Sequence, residues 1–358
     1  MTRRIYLIRH GKPDFTEGIC CLGRTDMPLG PVGRMQACLA ARELENAGIG
    51  AVFTSPLSRA RETASYISAS PVAVPGLMEA GMGIWDGLSF REIKERYPEL
   101  YERRGADMSV SVPDAEPPAA ALERFDAAVR QCLRESSGCI AIVAHAAVIK
   151  LMLAAVSQAA LEASREYRLH YCACAQLEYD GGFRLAHIGA PPHPALDRDL
   201  CLRLLRAAGT PPQVIAHCAA VTDEAVRLAG ALRQSGVAID TALVENAAML
   251  HDLARAQPEH AARGADWLDE LGYDREADIV RRHHALGADA GIELMTVSLA
   301  DALTFGAKRV SLAERFSESL KKCRSSDALM AHEHRRREAL DAARKINALC
   351  GKDVIYLD

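Results

Sequence analysis

Five side chains in the first half of the chain could transfer a phosphoryl group without a metal ion: Arg9, His10, Arg59, Glu79 and His145. Guanidinium groups stabilise the negative charge that spreads over the oxygens of a moving phosphoryl group. A neutral histidine nitrogen is a competent nucleophile at neutral pH, because it need not lose a proton first. A carboxylic acid can protonate the leaving oxygen, and its carboxylate can then activate water.

Short apolar segments precede four of these residues and are typical of buried strands. Arg9 and His10 follow residues 5–8, Arg59 follows residues 51–53 closely, and His145 follows residues 139–144. Helical patterns separate the segments, which predicts an α/β fold with three layers, a mostly parallel sheet having helices on both faces. Because parallel strands end at one edge of a sheet, where ligands bind, we expect these residues to meet there. Taken alone, Arg9 and His10 could also be the charged end of an N-terminal strand.

Further patterns fill in the first half of the chain. Helices are predicted over residues 33–46, 90–103 and 119–135, and around Arg61 to Ile67. Residues 107–118 are expected to form a loop. Residues 176–179 and 183–185 flank Asp-Gly-Gly, which predicts a hairpin that closes this region.

Four ordered motifs resemble those of the histidine phosphatase superfamily, the phosphoglycerate-mutase-like proteins. They are Arg9-His10-Gly11, residues 55–60, residues 77–79 together with 83–87, and residues 143–145. The resemblance implies that His10 is the phosphorylated nucleophile, that Arg9, Arg59 and His145 bind the phosphate, and that Glu79 is the acid and base. No metal or other cofactor is expected in this domain.

The loop of residues 23–29 is most similar to that of the α-ribazole-phosphate type of phosphatase, which makes Arg24 a candidate for substrate binding. Two positions depart from the family pattern. Ala146 stands where the family usually has glycine, so its methyl group could crowd the pocket. The loop 113–117 lacks the usual glycine and serine. The segment between Glu79 and His145 is short compared with that of the mutases, which favours a phosphatase.

A proline-rich segment, residues 189–194, is the best candidate for a linker. Strands alternate with helices before it, whereas almost only helical patterns follow it. The predicted domains are therefore residues 1–190 and residues 191–358, since a chain of 358 residues exceeds what one core usually holds.

Two histidines and two aspartates in the second half form a candidate site for a divalent metal. His217 lies on the apolar face of a predicted helix that includes Val221, and His251-Asp252 ends an apolar helix. Asp301 falls within an apolar stripe that runs from Leu294 to Thr304 and Phe305, where an unpaired carboxylate is costly unless it ligates a metal. A lone histidine in the position of His217 is more often a core residue than a metal ligand.

The order of His, His-Asp and Asp on a helical background resembles the HD-domain metal phosphohydrolases over about residues 200 to 315. The resemblance implies a bound divalent metal (Mn, Fe, Mg, Ni or Zn) and a phosphorylated substrate, which we expect to be a nucleotide. His260, His283 and His284 are similar to the extra histidines of two-metal HD proteins, although the last two could be surface residues. Arg255 replaces the usual lysine and is a candidate for phosphate binding. A terminal helix is predicted over residues 335–349.

Bulk composition excludes several other classes of protein. The formal net charge is −4, without a basic excess, so neither nucleic acid nor a membrane surface is an expected partner. No apolar segment is long enough to span a membrane or to act as a signal peptide. The 11 cysteines are scattered and form no CxxC pair, which favours reduced thiols and a cytoplasmic location.

The sequence thus predicts two phosphohydrolase domains in one chain, the first acting on a small phosphorylated metabolite. Fusion of two such domains suggests successive steps on related compounds. Two alternatives remain open. The HD domain could be a nucleotide-sensing module that regulates the phosphatase, or the first domain could be a binding module that has lost activity. The complete set of five residues argues against the second alternative.

Overall fold

A computed structural model describes residues 2–15, 18–107, 110–287, 289–321 and 323–355. The chain divides into two compact units, Met1–Pro194 and Ala195–Asp358, called here the N-terminal and the C-terminal unit. Each unit is described by itself. Among the described residues, no helix is long and apolar enough to cross a membrane.

The sheet of the N-terminal unit contains, within the described residues, β1 (Arg3–Arg9), β2 (Ile49–Thr54), β3 (Val72–Ala73), β4 (Cys139–Ala144), β5 (Cys174–Tyr179) and β6 (Phe183–Ile188). The strand order is β3-β2-β4-β1-β5-β6. The strands from β3 to β1 pair in parallel, whereas β5 and β6 add an antiparallel hairpin at one edge. The predicted fold class is therefore confirmed. The predicted hairpin is present as β5 and β6 at the antiparallel edge of the sheet.

The helices of this unit are α1 (Pro31–Leu44), α2 (Ser58–Ile67), α3 (Phe90–Arg96), α4 (Pro98–Ala106), α5 (Pro118–Arg134) and α6 (Ala146–Val156). Short 3-10 turns cover Pro75–Leu77, Gly83–Trp85 and Leu161–Glu166. The prediction of a single helix over residues 90–103 is wrong. The first helix ends before Tyr97, and a second helix begins at Pro98. Proline has no N–H for the preceding turn and restricts the residue before it. Of the loop predicted over 107–118, residues 108 and 109 lie outside the described residues.

Alternating side chains of β1 pack on opposite faces of the sheet. Ile5 and Leu7 join one core cluster with α5 and α6, and Tyr6 and Ile8 join another with α2. Both faces of the sheet are thus covered by helices, so a ligand can reach the sheet only where its strands end. Ile8 pairs with Val143 and Arg9 with Ala144. This register brings His10 and His145, each following its strand, to the same edge.

The loop after β1 passes very close to the start of α1. A Cβ atom on Gly33 would lie 2.0 Å from the Lys12 carbonyl oxygen, and one on Gly11 would lie 2.4 Å from the Gly33 carbonyl oxygen. Only glycine permits such an approach of two backbones. The Thr63 hydroxyl also accepts a hydrogen bond from the Gly11 N–H at 3.0 Å. The segment carrying His10 is therefore held from two sides.

The C-terminal unit is built of α7 (Arg198–Ala208), α8 (Pro212–Gln234), α9 (Thr241–Leu250), α10 (His260–Glu270), α11 (Asp274–Arg282), α12 (Ile292–Ala302), α13 (Leu312–Leu320) and α14 (Ser326–Cys350), with the short strands β7 (Thr304–Phe305) and β8 (Lys308–Arg309). Its main core combines apolar faces of α8, α9, α12 and α14. The predicted helical stripe to Thr304 and Phe305 is wrong at its end. The helix stops at Ala302, and these two residues pair with β8. The terminal helix is longer than predicted.

Candidate active site and metal centre

His10 stands at the end of β1 with one ring nitrogen committed and the other available. Its Nδ1–H donates to the carbonyl oxygen of Gly11 at 2.7 Å. This hydrogen bond fixes the tautomer, so Nε2 keeps its lone pair. The His10 and His145 rings have centroids 5.1 Å apart. A neutral imidazole held in this way is chemically suited to attack a phosphorus atom.

The arginines predicted to bind phosphate lie beside His10, Arg59 buried and Arg9 half-buried. Arg59 is 0% exposed and donates its two Nη groups to the carbonyl oxygens of Gly23 and Thr25, both at 2.8 Å. Arg9 donates to the Leu169 carbonyl oxygen and lies 3.8 Å from the centroid of the Tyr171 ring. The Nε atoms of both arginines are buried and have no hydrogen-bond partner among the described residues. Buried donors of this kind call for an anionic acceptor.

His145 also has one hydrogen-bonded and one unpaired ring nitrogen among the described residues. Its Nε2 is hydrogen-bonded to the Ser55 hydroxyl at 2.7 Å, and its buried Nδ1 has no partner there. When the hydroxyl donates, Nδ1 carries the proton and is a further donor to an anion. Ser55 is held beside His145 because its N–H bonds to the carbonyl oxygen of Val143 on β4.

Glu79 is buried against the first turn of α6. Its carboxylate accepts from the N–H groups of Ala80 at 2.9 Å, Ala147 at 3.1 Å and Val148 at 3.2 Å. Burial raises the pKa of Glu79, and these hydrogen bonds oppose the rise only in part. Arg124 donates to the carbonyl oxygens of Met78 and Glu79, which fixes the backbone at the acid. The group can therefore be protonated at a higher pH than an exposed glutamate.

Burial and the two arginines act together on the histidines. Burial lowers the pKa of His10 well below its usual value, and the charges of Arg59 and Arg9 lower it further. The pKa of His145 falls for the same reasons, with His10 contributing. Both rings are thus neutral at neutral pH, which the nucleophile requires.

Arg24 differs from Arg9 and Arg59 because its guanidinium pairs with a carboxylate. Its guanidinium pairs with Glu116 at 3.1 Å, and Glu116 also pairs with Arg124 at 2.7 Å. The unusual loop 113–117 therefore supplies an acid that holds two arginines. Substrate binding by Arg24 remains a prediction, and it would require a shared or exchanged contact.

Asp86 is an important residue that the motifs did not assign. Its carboxylate accepts from the N–H groups of Gly23, Arg24 and Thr25 and from the Thr25 hydroxyl. The carbonyl groups of the same loop hold Arg59. Asp86 therefore acts on the phosphate pocket through one loop and one guanidinium. In the sequence, Asp86 stood out only as a lone acid in a glycine-rich stretch. The contacts of Tyr171 with Arg9 and of Arg124 with Glu79 had no signal in the sequence.

A cavity of about 700 Å³ opens over His10 and is lined by Arg9, Glu79 and Tyr171 among others. Ala146 lines this cavity as well, so its methyl group does not close the pocket. The cavity has room for more than a phosphoryl group.

All seven predicted metal ligands of the C-terminal unit come together. His217 Nε2 lies 3.1 Å from Asp301 Oδ1, and His251 Nε2 lies 3.7 Å from Asp252 Oδ2 and 3.9 Å from Asp301 Oδ1. Three overlapping groups have ligand atoms within 4.8 Å of one another: His217, His251 and Asp252; His251, His283 and Asp301; and Asp252, His260, His283 and His284. These seven residues lie on α8 and α12, at the ends of α9 and α11, and at the start of α10.

Two buried histidines show that this donor set fits a cation. The Nδ1–H groups of His251 and His283 donate to the carbonyl oxygens of Ala248 at 2.8 Å and Val280 at 2.6 Å. Their Nε2 lone pairs are buried and have no hydrogen-bond partner within the described part of the chain. A lone pair facing carboxylate oxygens is repelled by them unless a positive ion lies between, so this arrangement could hold a cation.

The pKa values of His283, His284 and Asp301 agree with deprotonated ligands. Burial lowers the pKa of His283 to about 3 and that of His284 to about 4, in both cases with neighbouring histidines contributing. Burial alone would raise the pKa of Asp301, but the hydrogen bond from His217 and the charges of nearby histidines hold it well below its usual range. Such neutral imidazoles and ionised carboxylates are the forms that bind metals. His217 differs: burial lowers its pKa, but the hydrogen bond and charge of Asp301 outweigh burial and raise it, so His217 would have to lose a proton to bind a cation.

Arg255 borders this cluster, with its Nη1 donating to His260 Nε2 at 2.9 Å and its Nε lying 3.7 Å from Asp252 Oδ2. His260 Nε2 is also 3.2 Å from His284 Nε2. The group that contains His260 and His284 thus lies towards Arg255, on the more open side of the site. Phosphate binding by Arg255 remains a prediction.

The two families expected from the motifs are found in the chain. A model described as the histidine phosphatase superfamily (branch 1) matches residues 5–189, and one described as the HD domain matches residues 214–306. The first match spans more than half of the chain. The chain therefore belongs to the histidine phosphatase superfamily, and it carries an HD domain in the same polypeptide.

Individual relatives match about half of the chain at modest identity. The chain is 34% identical over 182 residues to Bifunctional protein Rv2228c of Mycobacterium tuberculosis, covering 47% of this chain and 47% of that protein. It is 28% identical over 212 residues to the protein named Probable phosphoglycerate mutase GpmB of Yersinia enterocolitica, covering 54% of this chain and 97% of that protein. The chain thus spans about half the length of its mycobacterial relatives.

Solved structures share the fold of about half of the chain. Mycobacterial hydrolase 2 matches with a TM-score of 0.50 at 23% identity, over 58% of this chain and 97% of that chain. The α-ribazole phosphatase from Shigella flexneri matches with a TM-score of 0.48 at 22% identity, over 54% of this chain and 100% of that chain.

Asp86→Asn should weaken phosphate binding, because an amide nitrogen would face backbone donors and loosen the loop that holds Arg59. Hydrogen bonds to a charged group contribute ~1.5–3 kcal/mol when protected from solvent, and this cluster is half-buried, so the inhibition constant for vanadate should rise roughly 10-fold. Inhibition of 4-nitrophenyl phosphate hydrolysis measures it. Asp180→Asn, in the exposed turn between β5 and β6, is the control. Unchanged vanadate inhibition in Asp86→Asn would exclude the positioning role.

Proposed function

We propose that the chain is a two-domain phosphohydrolase, with residues 1–190 hydrolysing a small phosphomonoester through a phosphohistidine. The carrying observation is the set of buried, unsatisfied atoms around His10: Arg9 Nε, Arg59 Nε and His145 Nδ1. They border one nucleophilic nitrogen and form a pocket that lacks only an anion. Aligned donors of this kind stabilise the transition state electrostatically.

The proposed reaction has two steps. His10 Nε2 forms a bond to phosphorus as the bond to the leaving oxygen breaks, and Glu79 gives its proton to that oxygen. The Glu79 carboxylate then takes a proton from water, whose oxygen attacks phosphorus and breaks the bond to Nε2. Inorganic phosphate leaves, and His10 returns to its neutral form with Glu79 protonated.

We infer hydrolysis rather than transfer within one molecule, because the segment between Glu79 and His145 is short. It leaves little chain to cover the site and exclude water. The loop 23–29, which resembles that of the α-ribazole-phosphate type of phosphatase, supports a small phosphorylated metabolite as the substrate. The shifts in pKa support activity around neutral pH: His10 would be protonated only in acid, and Glu79 would lose its proton above the usual range for glutamate.

Glu79→Gln should slow hydrolysis strongly for esters with poor leaving groups and much less for 4-nitrophenyl phosphate. General acid catalysis contributes ~10²–10⁴-fold, and nitrophenolate needs no proton to leave. The values of kcat/KM for phenyl and 4-nitrophenyl phosphate measure the difference, because kcat/KM reports on formation of the phosphohistidine and not on its hydrolysis, in which Glu79 is the base for both esters. Glu123→Gln, on the partly exposed surface of α5, is the control. Equal losses with both esters would remove Glu79 from the acid role.

For residues 191–358 we infer a metal-dependent phosphohydrolase acting on a phosphoester or phosphoanhydride, in particular of a nucleotide. His217, His251, Asp252 and Asp301 would hold one divalent ion, and His260, His283 and His284 would extend the set towards a second. Manganese, iron, magnesium, nickel and zinc all accept nitrogen and oxygen donors. A bound ion would polarise a phosphoryl oxygen and make water a better nucleophile.

The protein's own groups would position the substrate at this second site. The carbonyl groups of Ala248 and Val280 orient two imidazoles, and Arg255 offers a half-exposed guanidinium beside the cluster. A guanidinium in that place suits a second phosphate of a nucleotide. Two phosphohydrolase sites in one chain would suit successive steps on related compounds.

Chelation should separate the two sites, because arginines neutralise the phosphoryl charge in one and a cation does so in the other. EDTA treatment should leave hydrolysis of 4-nitrophenyl phosphate intact. It should remove divalent metal, measured by elemental analysis, and lower the melting temperature of the C-terminal unit, with manganese restoring both.

Asp301→Asn should abolish metal retention, whereas Asp341→Asn on the exposed side of α14 should not. Absence of divalent metal from the wild type under every loading condition would contradict the metallohydrolase proposal. Metal binding without turnover of any phosphoester or nucleotide would favour a sensing module instead.

A further inference from the structure

The cavity over His10 extends well beyond the group that the phosphate pocket can bind. Its volume is about 700 Å³, within the range of sites that enclose a small organic ligand. Arg9, His10 and Glu79 occupy only part of its lining. The remainder must face the leaving group of the substrate.

That remainder is largely apolar and extends to the surface. Phe15, Leu22, Met82 and Val112 line the cavity, together with Ile19 and Phe90. The last two are large apolar side chains with 64% and 48% of their surface exposed. Apolar side chains left open at the mouth of a pocket indicate an apolar ligand. A ring or a comparable apolar body fits this part of the cavity.

One cation on α6 interrupts the apolar lining. Ala146, Ala147, Lys150 and Leu151 all line the cavity, as expected for one face of a helix. Lys150 lies about one turn beyond the residues that contact Glu79. Among the residues that the structure describes, it has neither a hydrogen-bond nor an ion-pair partner. Half-buried and close to Arg9, it has a lowered pKa that an anion beside it would restore.

The other charged groups of the described lining are Arg9, Glu79, Arg104, Glu116, Glu162 and Arg165. Glu79 accepts hydrogen bonds from the first turn of α6, and its charge offsets the lowered pKa of Lys150 only in part, while Glu162 is exposed. Glu116 is bound by Arg124 and Arg24, so it does not neutralise Lys150. Arg104 and Arg165 donate to backbone carbonyl oxygens. Lys150 is therefore the cation within the described lining that has no bond of its own.

We propose that the first site selects phosphomonoesters whose leaving group combines an apolar ring with a second anionic group, and that Lys150 binds this second anion. The proposal rests on the proposed phosphatase function and names its substrate class. The phosphoryl group would occupy the arginine pocket, the ring the apolar part of the cavity, and the second anion the region of Lys150.

Matched aryl phosphates test this selection. The 3- and 4-carboxyphenyl phosphates differ from the corresponding carbamoylphenyl phosphates in charge, with nearly the same shape. The wild type should show a kcat/KM for the better carboxylate that is roughly tenfold or more above that of its carboxamide, as a charge-assisted hydrogen bond would give. A ratio near one in the wild type overturns the proposal without any variant.

Variants then test the residue. Lys150→Met should bring the ratio of carboxylate to carboxamide to about one, and Lys150→Arg should keep most of it. Lys94→Met, on the exposed surface of α3, should keep the wild-type ratio. A full preference in Lys150→Met would overturn the assignment to Lys150. Hydrolysis without preference sinks only this proposal, whereas failure to hydrolyse any ester or to label His10 sinks the phosphatase function as well.

Discussion

The N-terminal site depends on two guanidinium groups, one buried and one half-buried, that have no acidic partner in direct contact within the part of the chain that the structure describes. Removing an ion from water costs several kcal/mol even after relaxation. Among the described residues, Arg9 and Arg59 recover part of this cost from backbone carbonyl groups and from the face of Tyr171. The remaining Nε donors are unsatisfied. The surrounding structure therefore stabilises a pocket of positive potential that an anion would complete.

Several local features follow from this constraint. The glycine contact between the loop after β1 and α1 keeps Arg9 and His10 at the sheet edge. Asp86 fixes the loop whose carbonyl groups hold Arg59. The first turn of α6 holds Glu79 beside the arginines, and burial keeps the pKa of its carboxyl group raised. The C-terminal unit has the opposite arrangement, in which buried carboxylates and imidazole lone pairs converge on one point. One site needs an anion and the other needs a cation.

Much of this could be predicted from sequence because strand ends and motif order are local signals. Arg9, His10, Arg59 and His145 follow apolar strands, and parallel strands bring their ends together. His217, His251, Asp252 and Asp301 were predicted as metal ligands from polar residues on or at the end of apolar helices, whereas the three further histidines were predicted from the family resemblance. Pairings between distant loops left no such signal. Nothing in the sequence indicated that Arg24 would pair with Glu116, that Tyr171 would lie on Arg9, or that Asp86 would bind residues 23–25. The end of α12 was missed because Thr304 and Phe305 continue its apolar spacing but pair with β8.

The central claim is that His10 becomes phosphorylated, and on one nitrogen in particular. Its Nδ1 is occupied by the Gly11 carbonyl group, so Nε2 should carry the phosphoryl group. Rapid acid-free quenching of the full chain with a phosphorylated substrate, followed by phosphorus NMR and peptide mass spectrometry, measures this directly. The account predicts Nε2-phosphohistidine at His10 in the wild type and its loss in His10→Ala. Phosphate on Nδ1, on another residue, or on the His10→Ala protein at wild-type levels would contradict it.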